Sequence, residues 1–161
     1  GTVGNIIPDN VQVRGTIRSY SPQVRAKLLE GVRRVAEGSA AMAGAPKPDM
    51  LIGGGGQAIV NSTELVNKTE VVFKEAFGAD KAKRMPAMTA SEDFSLYANE
   101  GVPSMFFFTG VYDPKVVADA EREGGKPIAF NHSPFYAPVP EPSIKTAAQA
   151  MSLAVLNVLG R

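Results

Sequence analysis

Gly4-Asn5-Ile6-Ile7-Pro8-Asp9-Asn10 followed by Val11-Gln12-Val13-Arg14-Gly15-Thr16-Ile17-Arg18 is the stretch on which the fold assignment turns. Pro8-Asp9-Asn10 is turn chemistry, because Pro presets φ and Asp and Asn tolerate turn backbones. From Val11 the chain alternates. Val11, Val13 and Ile17 share one side with Gly15, and Gln12, Arg14, Thr16 and Arg18 share the other. A period of two predicts a half-buried strand. With Gly4 to Ile7 extended, the two pieces predict a hairpin.

Working outward, Ser21-Pro22 predicts a helix start, with Ser as cap and Pro at the first position. Val24, Leu28, Val32 and Val35 follow at helical spacing as its apolar stripe. Gly44 and Pro46 predict its end. Met50-Leu51-Ile52 predicts a short strand. The first 60 residues therefore read β-β-α-β, with helices on one face of an antiparallel sheet.

The run Gly53 to Gly56 predicts a linker. It lacks the Gly-Lys-Ser/Thr of a phosphate-binding loop, so a nucleotide-binding reading is poor. Asn61 and Glu64 read as a capping pair opening a second helix that runs to Gly78. Arg84 to Met88 predicts a strand, and Ser91 caps a short helix ending near Gly101. Met105-Phe106-Phe107-Phe108 is a continuous apolar run that suits a strand buried on both faces. Tyr112 to Phe130 reads as loop. Glu141-Pro142 opens a last helix, with Ile144, Ala148, Met151, Val155 and Val158 as its stripe. The alternation predicts an α/β second part, so residues 1–60 and 61–161 are expected to form two domains.

Composition sets the outer limits. The chain has 161 residues, 44% of them hydrophobic and 20% charged, an ordinary globular balance. Seventeen basic residues nearly cancel sixteen acidic ones, for a formal charge of +1. Nothing in that balance argues for nucleic acid or an anionic membrane as a partner. Cysteine is absent, which excludes disulfides and thiolate metal ligands within the chain. The compartment stays open between cytoplasmic and periplasmic or secreted. Residue 1 is Gly, and the expectation is that the reading frame continues upstream.

Three groups invite chemistry, each with a plainer alternative. Ser91-Glu92-Asp93-Phe94 places two carboxylates at a helix start, where acids also simply complement the helix dipole. Asn131-His132-Ser133-Pro134 holds the single histidine. Neutral imidazole is a common zinc ligand, although a lone histidine is more often structural. Arg18, on the polar face of its strand, has a guanidinium that can grip a carboxylate in two-point fashion, or merely be solvated. Hairpin arithmetic sets Asn5 opposite about Val13, so spacing alone does not join Asn5 to Arg18.

Together these segments resemble the zinc-dependent amidohydrolases of the aminoacylase, hippurate-hydrolase and indoleacetyl-amino-acid-hydrolase group. Gly4 to Asp9 with Val11 to Arg18 is similar to that family's lid-domain signature. Ser91-Glu92-Asp93-Phe94-Ser95-Leu96-Tyr97 is similar to a catalytic-domain motif. Val102-Pro103 through Thr109-Gly110 resembles the strand that follows it, and Asn131 to Pro134 the late histidine motif. The resemblance implies a partial ferredoxin-like α+β lid over residues 1–60, then the C-terminal part of an α/β metallopeptidase catalytic domain over 61–161.

The resemblance further implies two divalent metals, zinc or manganese, in the complete enzyme, and a metal-bridging water that attacks the amide of an N-acyl amino acid or dipeptide. It makes His132 a metal ligand. It gives Asn5 and Arg18 the part of binding the substrate carboxylate, and Ala90 and Ser91 that of lining the pocket. It also implies a homodimer formed through the lid. The family's early histidine-x-aspartate segment and its glutamate pair have no counterpart here. With one histidine and no cysteine, the chain is expected to be inactive alone, with no catalytic residue of its own. The alternative is a non-catalytic binding or dimerisation module.

Overall fold

The computed structural model describes residues 3–90 and 92–160. Five helices occur among them: α1 (Pro22–Met42), α2 (Thr63–Phe77), α3 (Ser95–Asn99), α4 (Pro114–Glu121) and α5 (Pro140–Leu159). The chain divides into two compact units. One holds the residues up to Ile59 together with Ala87–Asn99, and the other holds Val60–Pro86 with the residues from Glu100 onward.

The structure overturns the α/β assignment. No described residue lies in a strand, so neither a ferredoxin-like α+β lid over 1–60 nor an α/β catalytic sheet over 61–161 is present. Alternation shows which side chains would share a face. A strand also needs a neighbour to supply its ladder of backbone bonds. Val11 to Arg18 is exposed throughout, with Val11 79% and Val13 91% exposed. The expected strands at 50–52, 84–88 and 105–108 likewise run without a ladder. The first turn also moves: the Ile6 amide donates to the Val3 carbonyl at 3.3 Å, which centres it on Gly4-Asn5.

Helix ends follow local chemistry closely. The Ser21 hydroxyl accepts from the Val24 amide at 3.1 Å, with Pro22 in the first turn. At the other end of α1 the Ala45 amide donates to the Ala40 carbonyl (2.9 Å), and the Gly44 amide donates to the Ala41 carbonyl (3.1 Å). This is a Schellman closure, and Gly44 supplies its left-handed residue at φ 65°. Gly78 ends α2. The segment expected to be loop contains α4, opened by Asp113, whose carboxylate accepts from the Lys115 amide at 2.8 Å. Asp113-Pro114 is itself a start signal that sequence reading passed over.

The faces of the helices are less obedient. The α1 stripe of Val24, Leu28, Val32 and Val35 is exposed, and Leu29, Ala36 and Ala40 are half-buried instead. In α5 the expected stripe is also outside. Ala150 and Ala154 are the buried hydrophobic residues among those described. They share a face with Asn157, whose amide donates to the hydroxyl of Thr69 on α2 at 3.4 Å. Thr69 is itself buried. The second unit is therefore centred on α2 against α5, through small residues that let two helices approach closely.

The apolar run joins this pair by an unexpected route. Asn61 does not cap α2; Ser62 does, accepting from the Leu65 amide. The Asn61 amide group instead donates to the Phe106 carbonyl (2.9 Å) and accepts from the Phe106 amide (2.8 Å). Beside it the Ser62 amide donates to the Ser104 carbonyl at 2.8 Å. Phe107 meets Phe73 of α2 edge-on, with ring centroids 5.2 Å apart.

Candidate functional site

Asn5, Arg18 and Ala90 fall in the first unit, and His132 falls in the second. All four are exposed. Ser91 lies outside the described residues. Among the described residues no hydrogen bond or ion pair joins Asn5 to Arg18. The guanidinium neighbour on that stretch is Arg14, whose Nε donates to the Gln12 side chain at 3.0 Å. Asn5 sits at the centre of the first turn rather than on an extended segment.

Glu92 and Asp93 precede α3 and do not sit in its first turn, which holds no acid. The Glu92 carboxylate accepts from the Asp93 amide at 2.9 Å, and the Glu92 carbonyl accepts from the Ser95 hydroxyl at 3.3 Å. Ser95 is fully buried. A Cβ on Gly56 would stand 2.9 Å from the Ser95 Oγ and 3.4 Å from the Glu92 carbonyl oxygen. Gly56 is thus a residue of close approach, whereas a Cβ on Gly53 or Gly54 would meet open space.

His132 is distinguished by its backbone. Its φ is 74°, and it is the non-glycine residue with positive φ among those described. For an L-residue that region costs on the order of 1 kcal/mol, and His is among the residue types found there more often than most. It occupies the third position of a turn in which the Ser133 amide donates to the Phe130 carbonyl at 3.1 Å. A second turn follows, with the Tyr136 amide donating to the Ser133 carbonyl at 3.1 Å and the Phe135 amide donating to the Ser133 hydroxyl at 3.2 Å. Backbone outliers of this kind gather at functional sites, where surrounding structure holds them.

His132 does not stand in a metal centre built by these residues. No group of three or more His, Asp or Glu side chains comes together among the described residues. One imidazole is one ligand of the four that zinc ordinarily takes. The two-metal centre implied by the resemblance does not fit the described residues.

The charged surface carries one connected network. On α2 the Glu70 carboxylate, whose side chain is 21% exposed, accepts from Lys74 (2.7 Å) and from Arg84 (2.6 Å). Arg84 also donates to the Asn67 side chain at 2.7 Å. Hydrogen bonds from Lys74 and then Arg84 hold the Glu70 carboxyl below its ordinary range. Glu64 is lowered in the same direction by Lys68, one turn along. These contacts fasten residue 84 to α2; they form no cleft. Among the described residues no helix is long and apolar enough to cross a membrane.

The chain matches known proteins over most of its length. It is 32% identical over 114 residues to an uncharacterized hydrolase, y4tI, of Sinorhizobium fredii, covering 71% of this chain and 28% of that protein. It is 32% identical over 114 residues to the N-acetyldiaminopimelate deacetylase of Streptococcus thermophilus, covering 71% of this chain and 30% of that protein. It is 30% identical over 157 residues to thermostable carboxypeptidase 2 of Saccharolobus solfataricus, covering 98% of this chain and 36% of that protein. The chain thus spans about a third of the length of these relatives. No family model matches it, and no solved structure matches it. By these likenesses the chain is similar to hydrolases, with a deacetylase and a carboxypeptidase among them.

Proposed function

We propose that this chain is part of a metal-dependent amidohydrolase that cleaves the amide bond of an N-acyl amino acid or small peptide. The observation that carries the reading is the likeness to a deacetylase of an N-acetylated amino acid and to a carboxypeptidase, which extends over 71% to 98% of the chain. Both names describe hydrolysis of an amide next to an amino acid. In this reading His132 contributes one ligand to a divalent metal, zinc or manganese, whose other ligands come from outside the described residues. Asn5 and Arg18 bind the substrate carboxylate, a role that a guanidinium's paired donors suit. Ala90 and Ser91 border the substrate.

The test compares the 161-residue chain with the product of the complete reading frame that encodes it. Both are assayed with zinc or manganese against a panel of N-acetyl amino acids and dipeptides. The complete product is expected to hydrolyse members of the panel, and the 161-residue chain none. His132→Ala in the complete product is expected to lower kcat/KM by about 100-fold or more, since changing even a residue that only supports a metal ligand costs about 10- to 100-fold. Failure of the complete product on every N-acyl substrate ends the reading. Enzymatic rates from the 161-residue chain alone end the claim that it is inactive by itself.

A second reading, a non-catalytic binding or dimerisation module, is favoured by the α1 stripe, where Val24 is 49% and Val35 67% exposed. Its partner would be a second copy of the chain. Sedimentation of the 161-residue chain with and without zinc separates the two. A dimer that takes up no stoichiometric metal, with no hydrolysis from the complete product, favours this second reading.

A further inference from the structure

We infer that Tyr112 is the positioning residue of the loop that carries His132. The inference rests on the reading that His132 is the functional residue of that loop, and it gives the residue a support that no resemblance supplies.

The loop consists of the two consecutive turns over residues 130–136. Tyr112 bonds to the residue that precedes it and packs on its last residue. Its hydroxyl donates to the carbonyl of Ala129, immediately before the first turn. Its ring meets the ring of Tyr136, the last residue of the second turn, with centroids 5.9 Å apart and planes at 78°. The neighbouring Val111 carbonyl accepts from the Val139 amide at 2.8 Å and from the Ser143 hydroxyl at 3.3 Å. The 111–112 dipeptide therefore gathers the entry and the exit of the loop. The backbone on either side of it leads into helices, with Asp113 capping α4 and Pro140 opening α5.

Such an anchor matters because His132 holds a φ of 74° that an unconstrained loop would relax. Closing the loop at both ends removes most of the conformations in which that φ would revert. Tyr112 is half-buried while His132 is exposed, so the anchor is packed while the residue it supports faces solvent. The two attachments are chemically separable. Phenylalanine keeps the ring against Tyr136 and deletes the bond to Ala129. Leucine deletes both.

The test uses the full 161-residue chain, labelled for magnetic resonance. Histidine occurs once, so one set of signals reports it. A positive φ gives a strong proximity signal between a residue's own amide proton and Hα, and His132 is expected to show it in the unchanged chain. Tyr112→Phe should speed hydrogen exchange at the Ser133 and Tyr136 amides by about three- to tenfold, the loss of one hydrogen bond. Tyr112→Leu should in addition abolish the positive-φ signal of His132 while the α2 and α5 amide signals stay in place. A tyrosine with a merely structural role would lower the melting temperature and leave the His132 signal intact. If both variants keep the exchange rates and the signal, the inference is overturned. If the leucine variant unfolds, unchanged exchange in Tyr112→Phe overturns it by itself. Loss of hydrolysis in His132→Ala is read separately on the complete product. A null result there removes the ligand role of His132 and leaves the loop measurement to decide Tyr112.

Discussion

The side-chain amide of Asn61 pairs with both backbone groups of Phe106, donating to the carbonyl at 2.9 Å and accepting from the amide at 2.8 Å. It offers residue 106 what the edge of a neighbouring strand would offer. The consequence is measurable. Asn61→Ala removes both bonds and should cost about 1–2 kcal/mol, read as a lower midpoint in urea. Asn61→Asp keeps the acceptor but sets a carboxylate against the Phe106 carbonyl, so it should be at least as damaging. An unchanged midpoint in both variants would show that the pairing contributes nothing to stability.

The contact of α2 with α5 depends on small side chains. Ala154 is 8% exposed and shares a face with Asn157, which reaches Thr69. Ala154→Leu should therefore overpack the interface and cost about 1–3 kcal/mol. Met151→Leu, on the exposed face of the same helix, should change stability by less than about 0.5 kcal/mol. Equal effects from the two would place the interface elsewhere on α5.

Two neighbouring glycines should answer differently to one methyl group. Gly56→Ala drives a Cβ to 2.9 Å from the Ser95 Oγ and should destabilise by about 1 kcal/mol or more. Gly54→Ala meets open space and should stabilise by up to about 1 kcal/mol, because alanine restricts the unfolded chain. Thermal melts of the two single variants decide it, and a shared sign would contradict the geometry.

Acid should loosen residue 84 from α2. The Glu70 carboxyl titrates below its unfolded value of about 4.3, held down by Lys74 and Arg84. A depressed folded value means that its stabilising contribution is present above the unfolded value and lost as pH falls through the folded one. Melting temperature should therefore fall as pH drops below about 4.3, and Glu70→Gln should flatten that dependence. A variant as acid-sensitive as the parent would mean other carboxylates dominate.

His132→Gly should hold or raise stability, since glycine adopts φ 74° without the side-chain penalty, offset in part by its greater unfolded entropy. The same substitution should abolish hydrolysis by the complete product. Stability retained with activity lost is the signature of a residue kept for function at some cost in strain.

Short-range chemistry was legible in the sequence wherever one or two residues suffice. Ser21-Pro22 opens α1, Gly44 closes it and Gly78 closes α2, because caps are settled by bonds reaching three to five residues. Asp113-Pro114 opens α4 by the same local chemistry. His132 could be singled out as the one histidine, but its left-handed backbone could not, since no glycine or asparagine marks that position.

What the sequence determined by itself is therefore the start of α1, the ends of α1 and α2, the absence of cysteine, the near-neutral charge and the likeness to hydrolases. Tertiary structure alone decided that Val11 to Arg18 forms no strand. It also decided that α5 buries Ala150 and Ala154 rather than its larger stripe, that Asn61 serves Phe106 rather than a cap, and that Tyr112 gathers both ends of the His132 loop. The physical reason is one of range. A cap or a turn closes within a few residues and can be read locally. A sheet, a buried face or a loop anchor needs a partner dozens of residues away, and periodicity states a preference for such a partner without supplying it.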